Sequence, residues 1–312
     1  MNNKYEFTSD TLVTDDGAVL HRIKARISFA GVREGDLGGW VENEKNLDVS
    51  GNAWVYGDAQ VSGNALVSGD ALVSGDALVS GNAQVSGNAQ VSGNAQVSGN
   101  ARVYGNAWVY GNAQVSGNAR VSGNAWVSGN ARVYDNAWVY GNARVYGDAQ
   151  VSGNAQVSGN AQVSGNARVS GDAWVYGNAQ VSGDALVSGN ALVYGNAQVS
   201  GNAWVYGNAQ VSGDALVSGN AQVSGNARVS GNAWDVSPLQ IQSSKYYVNM
   251  ASATELRIGC QVHTIAWWLE NNERHAAETG ETPEFAAEMR LYIELAARRY
   301  APELLELAAD EQ

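Results

Sequence analysis

Cysteine chemistry is almost closed to this chain. Of its 312 residues only Cys260 is a cysteine, so no intramolecular disulfide can form and no oxidising compartment is implied. Proline is nearly as scarce, at three residues, and only 15% of residues are charged. No stretch approaches the ~18 apolar residues of a membrane span, and Met1 to Asp10 is polar, unlike a signal peptide. The expectation from composition is a soluble cytosolic protein. The long middle of the chain, 51–230, lacks His, Cys, Lys and Glu altogether. It therefore has no ligand set for zinc and no base tuned to neutral pH. Basic clusters are missing too, which argues against a nucleic-acid interface. The net charge is −12, divided as −3 over 1–50, −3 over 51–236 and −6 over 237–312.

What is present instead is repetition. Residues 51–230 are thirty consecutive hexapeptides, reading Gly-Asn-Ala-x-Val-Ser with few departures. Ala and Val never change, Asp alternates with Asn, Tyr with Ser, and Asp135 once replaces Gly. Position x varies among Gln, Leu, Arg and Trp. A period this strict dictates the architecture before any single residue does. Side chains alternate along a strand, so Ala and Val point to one side while x and Ser/Tyr point to the other. Gly-Asn supplies a bend, because both residues tolerate left-handed backbone angles. Three such units close a coil, which predicts about ten coils of 18 residues: a mainly β chain wound as a triangular, single-stranded parallel β-helix. The expected organisation is a β-rich N-terminal cap over 1–50, the solenoid over 51–236, and short strands plus a helical pair over 237–312.

Val-Ser-Gly-Asn-Ala-Gln resembles the hexapeptide pattern of left-handed parallel β-helix proteins, which include acyltransferases and γ-class carbonic anhydrases. The Gly-Asn-Ala-x-Val form, entered through Gly38-Gly39-Trp40-Val41, is more similar to phage and prophage repeat proteins and YdcK-like proteins. The resemblance implies left-handed winding and allows a homotrimer. A bactofilin-like helix that polymerises end to end stays open as an alternative. Enzymes of the resembled group use a histidine between subunits, or three histidines on a metal. Here His21, His263 and His275 all lie outside the repeats, so an acyltransferase rests on fold analogy alone. No catalytic residue, metal or cofactor is expected.

The outward positions carry what information the array has. Eight of their aromatics fall between 99 and 146. An 18-residue coil stacks Trp108, Trp126 and Arg144 on one face, and Arg102, Arg120 and Trp138 on another. Tyr104, Tyr110, Tyr140 and Tyr146 stand beside them. That girdle is a candidate for binding a protein partner by stacking and cation–π contact. The competing reading is that Trp and Tyr merely suit exposed strands and stabilise them as ladders.

At the N-terminus, Asp15-Asp16-Gly17 signals a turn, and Val19, Ile23, Ala25, Ile27 and Phe29 alternate as one face of a hairpin. A solenoid's open end needs such a cover. The repeat breaks at Asp235. Thr264 predicts the cap of one helix and Gly280 its end, while Thr282-Pro283 opens a second. Ile265, Trp268, Leu269 and Asn272 are expected on one face of the first. Phe285, Met289, Tyr292, Ala296 and Tyr300 form the expected stripe of the second. Trp267, Trp268, Phe285, Met289 and Tyr292 are candidates for self-association. Ile258-Gly259-Cys260, His263-Thr264 and Trp267-Trp268-Leu269 resemble a module of prophage-type proteins. Cys260 and His263 read as structural residues, since two ligands do not make a metal site. The function expected is a non-enzymatic scaffold, rigid spacer or interaction surface, with an inhibitor that sequesters a host factor as the alternative.

Overall fold

The computed structural model describes residues 2–230, 233–234 and 238–305, in two compact units, 1–183 and 184–312. In the first, β1 (Tyr5–Val13) and β2 (Val19–Ala25) form an antiparallel hairpin closed at Gly17, whose φ is +86°. Strand β3 (Leu37–Val41) then pairs antiparallel with β2 and parallel with the rung at Gln60–Val61. One strand thus joins the hairpin to the coil, and the coil's first free edge is covered by its own chain. Leu47 bridges Val67 in the same parallel sense. Stacking begins before the strict repeat does, and the described residues wind about 11 coils where the repeat count alone predicts about ten.

The hairpin corrects one expected face. Leu20, Ile23 and Ala25 are buried, whereas Val19 and Ile27 are exposed. The pairing of β2 is irregular on both sides, with register shifts between Phe7 and Thr11 of β1 and opposite Arg22–Lys24 of β2, and Ile27 lies past the end of β2. An irregularity of this kind moves later side chains to the opposite face.

Within each unit the x-Val pairs form strands of two residues, three at Gln210–Ser212 and Arg228–Ser230, stacked at a spacing of 18: Gln96 on Gln114, Arg102 on Arg120, Trp108 on Trp126. Three successive strands belong to three different sheets. Each unit donates three backbone bonds to the next coil, as in Arg102 N to Ala119 O (2.9 Å), Tyr104 N to Val121 O (3.0 Å) and Asn106 N to Gly123 O (2.8 Å). The repeated Ala and Val are fully buried from Ala53 to Val223. A buried Val contributes about 1.5–3 kcal/mol relative to an exposed one, and the coil's small interior fixes its volume. The corners need glycine for two reasons at once. Gly81 has φ +69°, and a Cβ there would lie 3.0 Å from Gly99 N and O in the next coil.

Asparagine does more at the corners than tolerate a bend. Its Nδ2 donates to the Oδ1 of the Asn one coil on, as in Asn82 to Asn100 to Asn118 to Asn136, at 3.0 Å for each step. Asp can end such a ladder but not continue it, since a carboxylate only accepts: Asn130 donates to Asp148 (2.8 Å) and Asn154 to Asp172 (2.8 Å).

The second unit opens with the same rungs, from Leu186–Val187 to Arg228–Ser230, and Ala233–Trp234 pairs with the strand at 216–217. The pattern break at Asp235 and the expected boundary at 236 lie outside the described residues. A four-stranded antiparallel sheet follows: Gln240–Gln242, Tyr247–Met250, Glu255–Ile258 and Gln261–Thr264. Helix α1 (Ile265–Glu278) starts at the Thr264 cap, whose hydroxyl accepts from Trp267 N at 3.1 Å. Helix α2 (Pro283–Tyr300) starts at Thr282, which accepts from Phe285 N at 3.2 Å, with Pro at the first turn. Among the described residues no helix is long and apolar enough to cross a membrane.

Candidate interaction wall

The coil's period of 18 distributes the expected girdle over two faces. On one, Trp108, Trp126 and Arg144 occupy successive rungs. The two indoles stack with centroids 5.5 Å apart and planes 9° from parallel. The Arg144 guanidinium lies 4.8 Å from the centre of the Trp126 ring, so the column ends in a cation over a π face. Tyr110 meets Trp126 edge-on at 6.5 Å. Tyr146 donates to Gln162 Oε1 at 3.2 Å and is exposed.

On the second face, Arg102 and Arg120 sit on adjacent rungs, followed by Trp138. Arg120 reaches within 6.0 Å of the Trp138 ring. Trp138 lies against Tyr140 at 4.5 Å and donates its Nε1–H to Ser122 Oγ at 3.2 Å. Tyr140 donates to Gln156 Oε1, also at 3.2 Å. Tyr104 completes a shallow groove with Gln84, Ser86, Arg102 and Arg120. Among the described residues none of Arg102, Arg120 and Arg144 has a carboxylate partner. Between Ala77 and Tyr134 the sequence holds three Arg and no Asp or Glu. Arg102 and Arg120 share one face of the coil and Arg132 stands on another, in a chain whose net charge is −12.

The wall residues differ in how tightly the coil holds them. Trp108 is 40% exposed, whereas Trp126 and Trp138 are half-buried by their neighbours. Trp54 occupies an x position yet is 1% exposed, packed against Tyr5, Phe29 and Tyr56. The N-terminal segment covers it: Ile23, Trp54 and Val55 crowd the space where a Gly38 side chain would go. Sequence periodicity therefore misplaces Trp54 on the open wall. Periodicity does set Trp174 outward, beyond the girdle: it is 37% exposed on the same face as Trp138, and its own Nε1–H donates to Ser158 Oγ. In the second unit Trp204 and Tyr206 are exposed as well.

The expected self-association residues are placed differently. Trp268 and Met289 are buried at 2% and 1% exposure, so they serve the interior of the C-terminal module and have no surface to offer a second copy. Trp268 donates to Leu256 O at 2.8 Å. Trp267, Phe285 and Tyr292 are half-buried. The interior of α2 is Ala286, Met289, Ile293, Ala296 and Ala297. The stripe expected through Phe285, Tyr292 and Tyr300 is thus rotated, those bulky rings flanking the buried line rather than forming it.

The histidines lie apart from the array. His21 packs on Phe7 at 5.2 Å. His263 stacks on Trp267 at 3.7 Å and meets His275 at 6.2 Å. Burial, with a smaller contribution from neighbouring His275, lowers the His263 pKa below its ordinary value. Cys260 is exposed and lines a cavity of ≈ 150 Å³ with Trp268, His275, Glu281 and Phe285. Among the described residues no three His, Cys, Asp or Glu side chains gather as a metal would require.

A profile described as YdcK Beta solenoid repeat matches residues 59–75, 71–87, 95–111, 113–129, 125–141, 137–153, 161–177, 179–195, 197–210, 209–223 and 221–235, together just over half of the chain. A search of curated proteins finds no match.

Proposed function

The chain belongs to the YdcK β-solenoid repeat family, and from that premise we propose that it is a non-enzymatic interaction scaffold. The coil holds its aromatic and arginine wall at fixed spacing for a protein partner with an acidic surface. The supporting observation is the pairing of the Trp108–Trp126–Arg144 column with the neighbouring Arg102–Arg120 pair, none of whose guanidiniums has a carboxylate within the described chain. Aromatic rings and arginines are the side chains that contribute most at protein interfaces. Held on a rigid coil, they lose little freedom on binding. The similarity of the repeat to phage and prophage proteins makes a bacterial host factor the natural partner, bound in the host cytoplasm or at a virion. Sequestering such a factor is one way this scaffold would act.

The repeat itself supplies the test. Gln is tolerated at many x positions, so Arg102→Gln, Trp108→Gln, Arg120→Gln and Trp126→Gln remove the wall without breaking the pattern. Proteins retained from a bacterial lysate by the native chain, identified and then titrated singly, are expected to lose at least tenfold in affinity for this variant. Native binding should weaken with salt, as charge pairing across an interface does. Equal affinity for both chains would leave the wall a structural ladder and the coil a spacer.

A further inference from the structure

Among the described residues, the outer ridge of α2 carries side chains that no other element covers. Glu284, Ala287, Leu291, Leu295 and Arg298 are exposed and recur at helical spacing, so they share one side; Pro283 and Arg299 are exposed as well, at its flanks. Leu291 is 66% and Leu295 46% exposed. The exposed positions of α1 are Glu270, Glu273, Arg274, Ala277 and Glu278, a polar face with nothing comparable. The α2 ridge is also symmetric in a particular way. Leu291 lies midway between Glu284 and Arg298, with Ala287 and Leu295 equally spaced about it.

We propose that α2 is a dimerisation helix that pairs antiparallel with α2 of a second copy about a two-fold axis at Leu291. In that arrangement Leu291 meets Leu291, Ala287 comes level with Leu295 of the other copy, and Glu284 comes level with Arg298. The two leucine patches cover each other, and a small residue opposes a large one. Each end of the pair closes with opposite charges, twice over, as an isologous contact demands. A parallel pair would set Glu284 beside Glu284 and Arg298 beside Arg298, so charge complementarity selects the antiparallel form. Neither Glu284 nor Arg298 has a salt bridge among the described residues. The contact spans roughly 21 Å of helix, one helix against one helix, a small interface of the kind that goes with weak association. The dimer is therefore reversible, with a dissociation constant in the micromolar range. This pairing does not depend on the wall, and either can fail alone.

Sedimentation equilibrium of the full-length chain from 1 to 200 μM tests it, with circular dichroism confirming that each variant folds. The native chain is expected to shift from monomer to dimer across that range. Leu291→Glu with Leu295→Glu should keep it monomeric. Glu284→Arg alone and Arg298→Glu alone should each weaken association about tenfold, and the two together should restore it to within about threefold of native. A short bis-maleimide should link Leu291→Cys chains, in a Cys260→Ser background, but not Ala277→Cys chains. A native chain that stays monomeric at 200 μM, a mass of three chains, or a double charge exchange weaker than either single change would each overturn the proposal.

Discussion

At the scale of single residues, the repeat assigns each position a separate physical task. Ala and Val fill the coil and Gly makes the corner, while Asn stitches one corner to the next through its side chain. That last task was not legible in the sequence. Asn at a bend reads as a residue that tolerates left-handed angles, and nothing local shows that its amide meets a copy of itself 18 residues on. The ladder explains where Asp is costly. Asp58 and Asp76 are consecutive members of one corner row, so two carboxylates stand level where a donor belongs. Arg22 offsets part of this from 3.7 Å. Asp76→Asn removes the repulsion and gives residue 76 an amide to donate to Asn94. We expect it to stabilise the chain by about 0.3–1 kcal/mol, within the range for exposed charge pairs, and the gain should shrink in high salt. Urea unfolding at two salt concentrations reads this, and an unchanged or lower midpoint would contradict it.

At the scale of elements, burial decides which aromatics are structural. Trp54 and Trp108 occupy equivalent repeat positions, but β3 and the hairpin close over only the first. Trp54→Gln should cost about 3–5 kcal/mol, the range for emptying a buried aromatic site, while Trp108→Gln should change stability by no more than about 0.5 kcal/mol. Chemical denaturation of the two variants distinguishes them directly. Here the sequence was partly sufficient. Strict periodicity gave the coil, its three faces and the stacking of Trp108, Trp126 and Arg144, because position modulo 18 fixes all three. It could not give the cover over Trp54, which depends on a non-repeating segment. Nor could it give the rotation of α2, since Phe285, Met289, Tyr292 and Ile293 allow neighbouring stripes of similar hydrophobicity. The caps at Thr264 and Thr282 were legible because capping is chemistry local to a few residues.

The C-terminal module also carries a pH dependence. The Lys245 ammonium bonds Glu281 at 2.7 Å, and the Tyr246 hydroxyl donates to the same carboxylate at 2.7 Å. These bonds hold the Glu281 pKa below its ordinary value of 4.5. A carboxyl group so lowered stabilises the folded state above its unfolded pKa, and that contribution disappears as pH falls through the folded value. Native protein should therefore exceed Glu281→Gln in thermal stability at pH 6, and the difference should narrow as pH falls below 4.5. A difference that persists unchanged at pH 3 would mean the effect is packing rather than ionisation.

At the scale of the whole molecule, a uniform coil is an economical way to hold a few distinctive side chains in fixed register. Most x positions are Gln or Leu, and the arginines and tryptophans interrupt them where a surface can be addressed. Self-pairing through α2 would place two such walls in one assembly, so that a partner with repeated sites would gain from the second contact. The most direct measurement is the affinity of an identified acidic partner for the native chain and for the Arg102→Gln, Trp108→Gln, Arg120→Gln, Trp126→Gln variant, with unfolding midpoints measured on the same samples. An interaction wall predicts binding that falls at least tenfold while the midpoint barely moves. Binding that survives the four changes, or a midpoint that collapses with them, would contradict it.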